Sequence, residues 1–200
     1  LTIGVSAFEG CRNITTITLP ANVTSVGASA FANMAIQTLN WNTNASIPEQ
    51  AFYQSAGLQN VNFGENVDEF TEVGASAFYY CTALKSITLP NSTTKLGNSA
   101  FEKSGLTSFT FPENVSITDP AQSIKLFALC EDLATVDFNG ANIQAISKQM
   151  FYMSVKSGTK YVSLDSQLKT ITIPDTVQIM GVAAFGSHKL TSVTLGKNVH

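Results

Sequence analysis

The sequence predicts a solenoid of about eight stacked repeats, with short parallel β-strands on a concave face and short helical or 3₁₀ turns on the convex side. The dipeptide Ala-Phe recurs at near-regular spacing, and an alternating apolar segment follows each copy. The chain of 200 residues is rich in Thr, Ser and Asn, and only 12% of its residues are charged, about half the usual share. Because 44% of the residues are apolar, the chain can still form a sizeable core.

The Ala-Phe dipeptide marks the repeated unit. Successive copies lie 21 to 26 residues apart over most of the chain, and the last interval is 34 residues. A single unit of this size cannot bury its own apolar side, so neighbouring units must stack to form a continuous core. The copies, two of them degenerate, end at Phe8, Phe31, Phe52, Phe78, Phe101, Phe127, Phe151 and Phe185.

An apolar segment of the form L-x-x-I-x-L follows each phenylalanine and is often closed by proline. Apolar and polar residues alternate in it, which is typical of a short strand with one buried face. Units of about 20–29 residues with this motif are the signature of leucine-rich repeats, so the sequence predicts a leucine-rich-repeat solenoid. The segments begin at Ile14, Ile36, Leu58, Leu84, Leu106, Leu133, Leu168 and Leu190.

Each strand is followed by a turn and then by an apolar residue with glycine, which lead to the next Ala-Phe. The joined pattern is P-x-x-V-x-x-I-G-x-x-A-F-x-x-C-x-x-L-x-x-I-x-L-P, and residues 73–90 and 84–101 match it almost position for position. This pattern resembles the BspA-like leucine-rich repeat family of cell-surface proteins, and the resemblance covers essentially the whole chain. The resemblance implies a secreted or cell-surface protein of a bacterium or protist, involved in adhesion to host proteins or to other cells.

The repeats account for the chain, so we expect residues 1–200 to form a single leucine-rich-repeat array. Leu168 lies 17 positions after Phe151, whereas most copies place the strand five or six positions after the phenylalanine. This difference predicts an exposed insertion at about residues 154–167. Neither end carries a polar capping unit, so we expect the chain to be part of a longer one, and uncapped ends would allow self-association.

The repeat phenylalanines should stack as a ladder in the core. Each cysteine lies three positions after a repeat phenylalanine, in a small core-facing slot where cysteine acts as a hydrophobe. Strand spacing separates them by roughly 10–14 Å, beyond the ~7 Å that a disulfide spans. The sequence therefore predicts free, buried thiols at Cys11, Cys81 and Cys130, and an inward-facing Trp41.

The residues between the apolar strand positions are Thr, Ser, Asn and one Asp, and they should face the open concave side. One interpretation is structural, because short hydroxyl side chains suit an exposed, twisted sheet. The other is a nearly neutral hydrogen-bonding platform for a protein or a glycan, although it lacks aromatic residues on which a sugar would stack. The candidate ligand-binding residues on this face are Asn60, Asn62, Thr88, Thr110 and Asp137.

The insertion carries the remaining candidate ligand-binding residues, Lys156, Lys160 and Tyr161. Insertions in solenoids map to exposed loops, which often carry function. Long loops are also tolerated at little energetic cost, so the insertion is also compatible with a role that involves no ligand.

Several classes of function have no support in the sequence. A net charge of −3 argues against a nucleic-acid partner, and no apolar run approaches the ~20 residues that insert in a membrane. His188 falls in a core slot, His200 is the final residue, and no serine or cysteine has an evident histidine partner. Motifs for a metal, a phosphate or a dinucleotide are lacking, so we expect no catalysis, no metal and no cofactor.

The sequence and the resemblance together favour a non-enzymatic recognition module that is secreted or on the cell surface. Its expected partner is a host or extracellular-matrix protein or another cell's surface, with a glycan as a further candidate ligand. The alternative is a structural spacer of a larger surface protein, with no ligand of its own. The uniform concave face favours the spacer, whereas the insertion and the family resemblance favour recognition.

Overall fold

The computed structural model describes residues 1–199, which form a parallel β-solenoid. No α-helix or 3₁₀ helix is assigned within these residues. The strands are β1 (Thr2–Ile3), β2 (Thr16–Leu19), β3 (Ser25–Val26), β4 (Thr38–Trp41), β5 (Asn60–Phe63), β6 (Glu72–Val73), β7 (Lys95–Leu96), β8 (Ser108–Thr110), β9 (Ser116–Ile117), β10 (Thr135–Asp137), β11 (Asn142–Ile143), β12 (Ala145–Ile146), β13 (Ser154–Ser157), β14 (Lys160–Ser163), β15 (Thr170–Thr172), β16 (Ile179–Met180) and β17 (Ser192–Thr194).

Each coil of the solenoid is termed a rung and is numbered by its repeat phenylalanine, from rung 1 at Phe8 to rung 8 at Phe185. The concave strands β2, β4 and β5 of rungs 1–3 pair in parallel and in register. The strands β8 and β10 of rungs 5 and 6 pair in the same way, as do β15 and β17 of rungs 7 and 8. Residues 86–89 of rung 4 carry the strand sequence but are not assigned as a strand.

A second parallel ladder lies where each coil turns back towards the convex side. It consists of the pairs β1–β3, β6–β7, β9–β11 and β12–β16. Glycine often follows these strands because the backbone of the preceding coil lies directly against it. A Cβ on Gly97 would lie 2.4 Å from the backbone nitrogen of Ala75, whereas a Cβ on Gly4 of rung 1 would meet nothing within 4 Å.

The convex segments are consecutive β-turns. In rung 4 the N–H groups of Ala77 and Tyr79 donate to the carbonyl three residues earlier, while the N–H of Phe78 donates to the next rung. Ser76 and Tyr80, two residues before and after Phe78, have positive φ angles of 54° and 61°. The expected helical or 3₁₀ turn is therefore not confirmed, because left-handed residues at these two positions redirect the chain before a helix can continue.

The core contains the expected phenylalanine ladder. The repeat phenylalanines of successive rungs have ring centroids 5.0–5.8 Å apart and ring planes within 18° of parallel. Those of rungs 2–7 are almost completely buried. Trp41 is also fully buried, and its indole N–H donates to the carbonyl of Ala45 over 2.9 Å, which confirms its inward position.

The three cysteines are free thiols. Cys81 and Cys130 are buried, and their sulfurs donate to the carbonyls of Phe52 and Phe101 over 3.3 and 3.0 Å. Burial raises the pKa of the Cys81 thiol and raises that of Cys130 to about 12. The expectation of burial is wrong for Cys11, which is half-buried in rung 1, the first coil of residues 1–199.

Candidate functional site

The five candidate residues on the strands lie on the concave face and are exposed, as the alternation predicts. In rungs 1–3 the concave side chains bond to one another. The side-chain amide of Asn62 donates to Asn40 over 2.9 Å, and the amide of Asn40 donates to the hydroxyl of Thr18 over 3.0 Å. These bonds hold the asparagine amides in fixed orientations across three paired strands.

The concave sheet is interrupted on both sides of residues 86–89 and between β10 and β15, and one of its clefts lies between rungs 3 and 4. Within residues 1–199 no backbone hydrogen bond joins β5 to residues 86–89, and a cleft of about 650 Å³ lies between the two segments. We term this opening the rung 3–4 cleft. It is lined by three of the candidate residues, Asn60 and Asn62 on one wall and Thr88 on the other.

The opening is confined to the strand segments. Before the strands, the N–H of Ala83 in rung 4 donates to the carbonyl of Ala56 in rung 3 over 3.1 Å. After the strands and the turn that follows, the N–H of Thr94 donates to the carbonyl of Thr71 over 2.9 Å. The rungs are therefore joined at both ends of the cleft, which makes it a bounded window in the sheet.

A longer turn in rung 3 lies next to the opening. Six positions separate Val67 from Val73, whereas three separate the corresponding Val23 from Val26 in rung 1. Among the additional residues is Phe70, which is fully buried and packs edge-on against Phe63 at the end of β5, with ring centroids 5.1 Å apart. This extra ring lies at the corner of rung 3, beside the end of β5 and next to the opening.

The lining of the rung 3–4 cleft combines hydrogen-bonding groups with acidic side chains. Residues 86–89 make no backbone–backbone hydrogen bond, so their peptide groups are open to pairing. Two of the lining residues, Glu65 and Asp68, are acidic, and none of them is Lys, Arg or His. The cleft can therefore bind a ligand through peptide groups, amides and hydroxyls, and it favours positive charge at its acidic end.

Thr110 and Asp137 lie beyond this cleft. Thr110 lines a smaller cleft of about 280 Å³ on the other side of residues 86–89. Asp137 is opposite Thr110 in the β8–β10 register, and its carboxylate accepts the N–H of Asn139 over 2.9 Å. That contact closes the turn after β10, so Asp137 already has a structural partner.

The insertion folds as an antiparallel hairpin of β13 and β14, with Gly158 at φ 60° in the connecting turn. Lys156 is opposite Tyr161 in its register, and Tyr161 is 69% exposed. Val155 and Leu164, also in the insertion, line a separate cleft with residues of rungs 4–6. The structure therefore places the candidate residues of the insertion apart from those of the rung 3–4 cleft.

One pair was missed by the sequence analysis. The hydroxyl of Ser166 lies 3.0 Å from Nε2 of His188, which comes 22 residues later and is brought close by the stacking of rungs 7 and 8. Ser166 is buried, its hydroxyl also accepts the N–H of Leu168, and Nδ1 of His188 has no hydrogen-bond partner. The pair therefore lacks both access to a substrate and a carboxylate to orient the imidazole, and it fastens the base of the hairpin to rung 8.

Two further features of the described residues bear on ligand classes. Residues 1–199 contain no group of three His, Cys, Asp or Glu side chains arranged to hold a metal ion. Within the same residues no helix is both long and apolar enough to cross a membrane.

Comparison with solved structures finds the same fold in two bacterial proteins. A leucine-rich repeat protein from Bacteroides ovatus has a TM-score of 0.67 and 24% identity over 100% of this chain and 42% of its own. A leucine rich cell surface protein from Faecalibacterium prausnitzii has a TM-score of 0.57 and 20% identity over 99% of this chain and 59% of its own. The chain thus spans about half the length of these two proteins, and at these identities the likeness shows the fold alone.

No protein of curated function matches the sequence at a significant level. A model of the BspA type leucine rich repeat region matches in six copies, over residues 1–73, 46–161 and 156–200. These matches span the chain, whose repeated phenylalanine, strand motif and apolar-glycine step have the structural roles described above. The chain therefore belongs to the BspA-type leucine-rich repeat family.

Proposed function

We propose that this chain is a non-enzymatic recognition module that binds a protein partner through its concave face at the rung 3–4 cleft. The observation that carries the proposal is the juxtaposition of Asn60, Asn62 and Thr88 around an opening whose backbone groups are unpaired. Backbone amides and carbonyls are obligatory hydrogen-bonding groups, and a protein ligand offers matching groups in the same geometry.

The cleft favours recognition over a spacer role. A spacer needs only an uninterrupted stack of rungs, and the paired strands of rungs 1–3 show that this sequence can form one. In rung 4, after the longer turn that contains Phe70, the concave ladder is interrupted on both sides of residues 86–89, and hydrogen-bonding groups are exposed there. A glycan is less well matched, because Phe63, the one aromatic residue in the lining, is half-buried and offers no open stacking face.

A location of this chain on the cell surface or outside the cell would agree with a recognition function. The resemblance of the repeats implies a surface protein, and the F. prausnitzii protein of the same fold is described as a cell surface protein. We extend this location to the chain and propose adhesion to a host or matrix protein, or to another cell's surface, as its role. Recognition without catalysis agrees with the burial of Ser166, the hydroxyl that bonds to His188.

The hairpin is a second candidate surface. Tyr161 and Val162 are exposed large side chains on β14, and Lys156 and Lys160 lie close to them in the hairpin register. Tyrosine offers a large contact area at low entropic cost and is favoured at protein interfaces. This surface could bind a partner independently of the cleft.

A binding screen with matched variants tests the proposal. The chain is presented to immobilised extracellular-matrix proteins and to a glycan array. Three variants are tested beside it. Thr88→Trp obstructs the rung 3–4 cleft, and Thr172→Trp, at the same strand position of rung 7, is its control. The third variant replaces Lys156, Lys160 and Tyr161 of the hairpin with serine. We expect a protein hit that Thr88→Trp abolishes and Thr172→Trp preserves.

Each other result has a defined meaning. Loss of the hit only in the hairpin variant moves the binding site to the hairpin. A hit on glycans alone contradicts the protein partner. No hit in either panel, from a folded and monodisperse chain, favours the spacer over the recognition module.

A further inference from the structure

We infer that the rung 3–4 cleft accepts one extended polypeptide segment as an added β-strand, with a lysine or arginine of that segment beside Glu65 and Asp68. This inference rests on the proposed function and specifies the chemistry of the partner. It is carried by the unpaired peptide groups on both walls, by the division of the lining into an apolar and a polar side, and by the uncompensated acidic end.

Both walls of the cleft present unpaired peptide groups. On the β5 wall, the N–H groups of Asn60 and Gly64 donate to rung 2, over 3.0 and 3.2 Å. Peptide groups alternate in direction along a strand, so those of Val61 and Phe63 point into the cleft. The opposite wall, residues 86–89, has no backbone partner on either side. Two open edges that face each other are a template for an inserted strand.

The window also limits the length of the segment. Each wall provides four residues, and at about 3.3 Å per residue four residues span roughly 13 Å. The bonds from Ala83 to Ala56 and from Thr94 to Thr71 close the sheet beyond these walls. The inserted part of the partner is therefore short, about four to six residues.

The side chains that flank the window predict an alternating ligand. Val61 and Phe63 are half-buried on one wall, and Ile87 and Leu89 are buried on the other, so the inward face of the window is apolar. The outward face is formed by polar side chains that are exposed on the concave side, Asn60, Asn62, Ser86 and Thr88. A strand between these walls would place apolar residues inward and polar residues outward, with period two.

The acidic residues at one end of the cleft predict that the partner carries a positive charge there. Glu65 and Asp68 line the end where β5 runs into its turn, and Glu69 follows in the same segment, whereas Glu72 lies opposite Lys95 in the β6–β7 register. No cation lines the cleft. Lys85, just before the rung 4 wall, is already paired with Asp132 of rung 6 over 2.7 Å. A basic residue of the ligand would supply the missing counter-charge.

Selection from a peptide library tests the inference directly. Phage-displayed random peptides of about 12 residues are selected on the folded chain, and enriched peptides are synthesised and measured by fluorescence polarisation. We expect the enriched sequences to alternate apolar and polar residues over four to six positions, with Lys or Arg at one end and no proline between. N-methylation at alternate peptide nitrogens should weaken binding about tenfold or more, because it removes the N–H donors of the added strand.

Variants of the chain locate the bound peptide. Thr88→Trp on one wall and Asn62→Trp on the other should each weaken binding about tenfold or more, and Thr172→Trp should not. Charge reversal with Glu65→Lys and Asp68→Lys should weaken binding and reduce its dependence on salt. The matched control is Glu113→Lys, an exposed acidic residue in the turn of rung 5. Unchanged circular dichroism spectra show that the variants are folded. If one tryptophan variant fails to fold, the other, on the opposite wall, still tests the inference.

The inference is overturned if no peptide is enriched, if enriched peptides lack the alternation or the basic end, or if binding persists in both tryptophan variants or after N-methylation. Failure of the peptide selection is distinguishable from failure of the proposed function. A matrix protein that binds the chain and is lost in Thr88→Trp, without any strand-like peptide being selected, would overturn strand addition alone.

Discussion

Phe78 and Phe101 stack in adjacent rungs with ring centroids 5.5 Å apart and ring planes 1° from parallel. Both side chains are fully buried, and each ring also stacks on the phenylalanine of its other neighbouring rung. In a solenoid each repeat contacts only its neighbours, so stability is approximately a sum of repeat and interface terms. Each ring in the ladder contributes to two such interfaces.

Removal of one ring from the middle of the ladder should therefore strongly lower the free energy of unfolding. We expect Phe78→Ala to cost about 3–5 kcal/mol, because it removes a large apolar side chain and leaves a cavity against two neighbouring rings. Phe8→Ala is the control, since Phe8 is 39% exposed and stacks on one side only. Urea denaturation followed by circular dichroism measures the free energy of unfolding of both variants. If Phe8→Ala lowers it as much as Phe78→Ala does, stacking on two sides does not contribute as described.

Replacement of the glycine after a corner strand by alanine should destabilise the chain where another coil packs against that glycine, and should have little effect in the first rung. We expect Gly97→Ala to destabilise the chain by about 1–3 kcal/mol, because the added Cβ would lie within 2.5 Å of the backbone of residues 74 and 75. Gly4→Ala, at the same repeat position with nothing within 4 Å, should change stability by less than about 0.5 kcal/mol. The midpoints of thermal unfolding compare the two, and a neutral Gly97→Ala would refute the steric explanation.

The repeating parts of this fold are predictable because their causes are local and recur in every rung. The Ala-Phe spacing predicts the ladder, and the period of two along the strands predicts which side chains face the concave side and that Trp41 faces inward. The convex turns are less predictable. Residues such as Ser76 and Tyr80 have left-handed backbone conformations that their side chains do not demand, and the contacts between rungs impose them.

The cleft depends on non-local packing, which a strand motif does not encode. Residues 84–90 match the repeat pattern closely, yet residues 86–89 within them are unpaired, and the longer turn that buries Phe70 lies in the preceding rung. The three extra positions between Val67 and Val73 were the available signal, and the acidic residues among them obscured the buried phenylalanine. The pairing of Ser166 with His188 was hidden for a similar reason, since it depends on how the insertion returns to the stack.

Cys11 should react with a thiol reagent much faster than Cys81 and Cys130. Burial holds the pKa of Cys81 and Cys130 far above the ordinary range, so neither forms the reactive thiolate in the folded chain. We expect a disulfide reagent such as Ellman's reagent at mildly alkaline pH to modify one thiol, Cys11, within minutes and the other two only in denaturant. Cys11→Ser should abolish the fast phase, and a fast phase that survives this change would show that rung 4 or rung 6 opens readily.

Acid should weaken the junction between the hairpin and rung 8. Desolvation, followed by the positive charge of Lys169, lowers the pKa of His188 from 6.5 to about 4. The unfolded chain therefore binds this proton more readily than the folded one, so stability is greatest above pH 6.5 and falls as the pH drops towards 4. The carboxyl groups of Asp165 and Asp175 have lowered pKa values, so their contributions are lost only below that window.

Thermal unfolding of the chain and of His188→Gln at about pH 7.5 and about pH 4.5 measures this effect. Glutamine retains a donor for Ser166 but cannot be protonated in this range. The midpoint of the unsubstituted chain should fall more between the two pH values than that of His188→Gln. Equal falls would show that other groups determine the acid sensitivity.

The opening in the concave sheet should be visible in hydrogen exchange without any ligand. Amides in the paired strand β4 are held by ladder bonds on both sides, and they exchange only when the rung opens. The amides of residues 86–89 have no backbone acceptor, so their protection should be close to that of a loop. Exchange measured by NMR at single-residue resolution should give fast exchange for Ile87 and Thr88 and slow exchange for Leu39 and Asn40.

A variant without the extra turn residues provides the control. Deletion of residues 68–70 shortens the turn of rung 3 to the length found in rung 1 and removes the buried ring of Phe70. If that ring holds the two walls apart, the deletion should let residues 86–89 pair with β5, and the exchange of Ile87 and Thr88 should slow to the range of β4. Protection of these amides in the unaltered chain would mean that the window is closed in solution, and strand addition at this site would then have no edge to use.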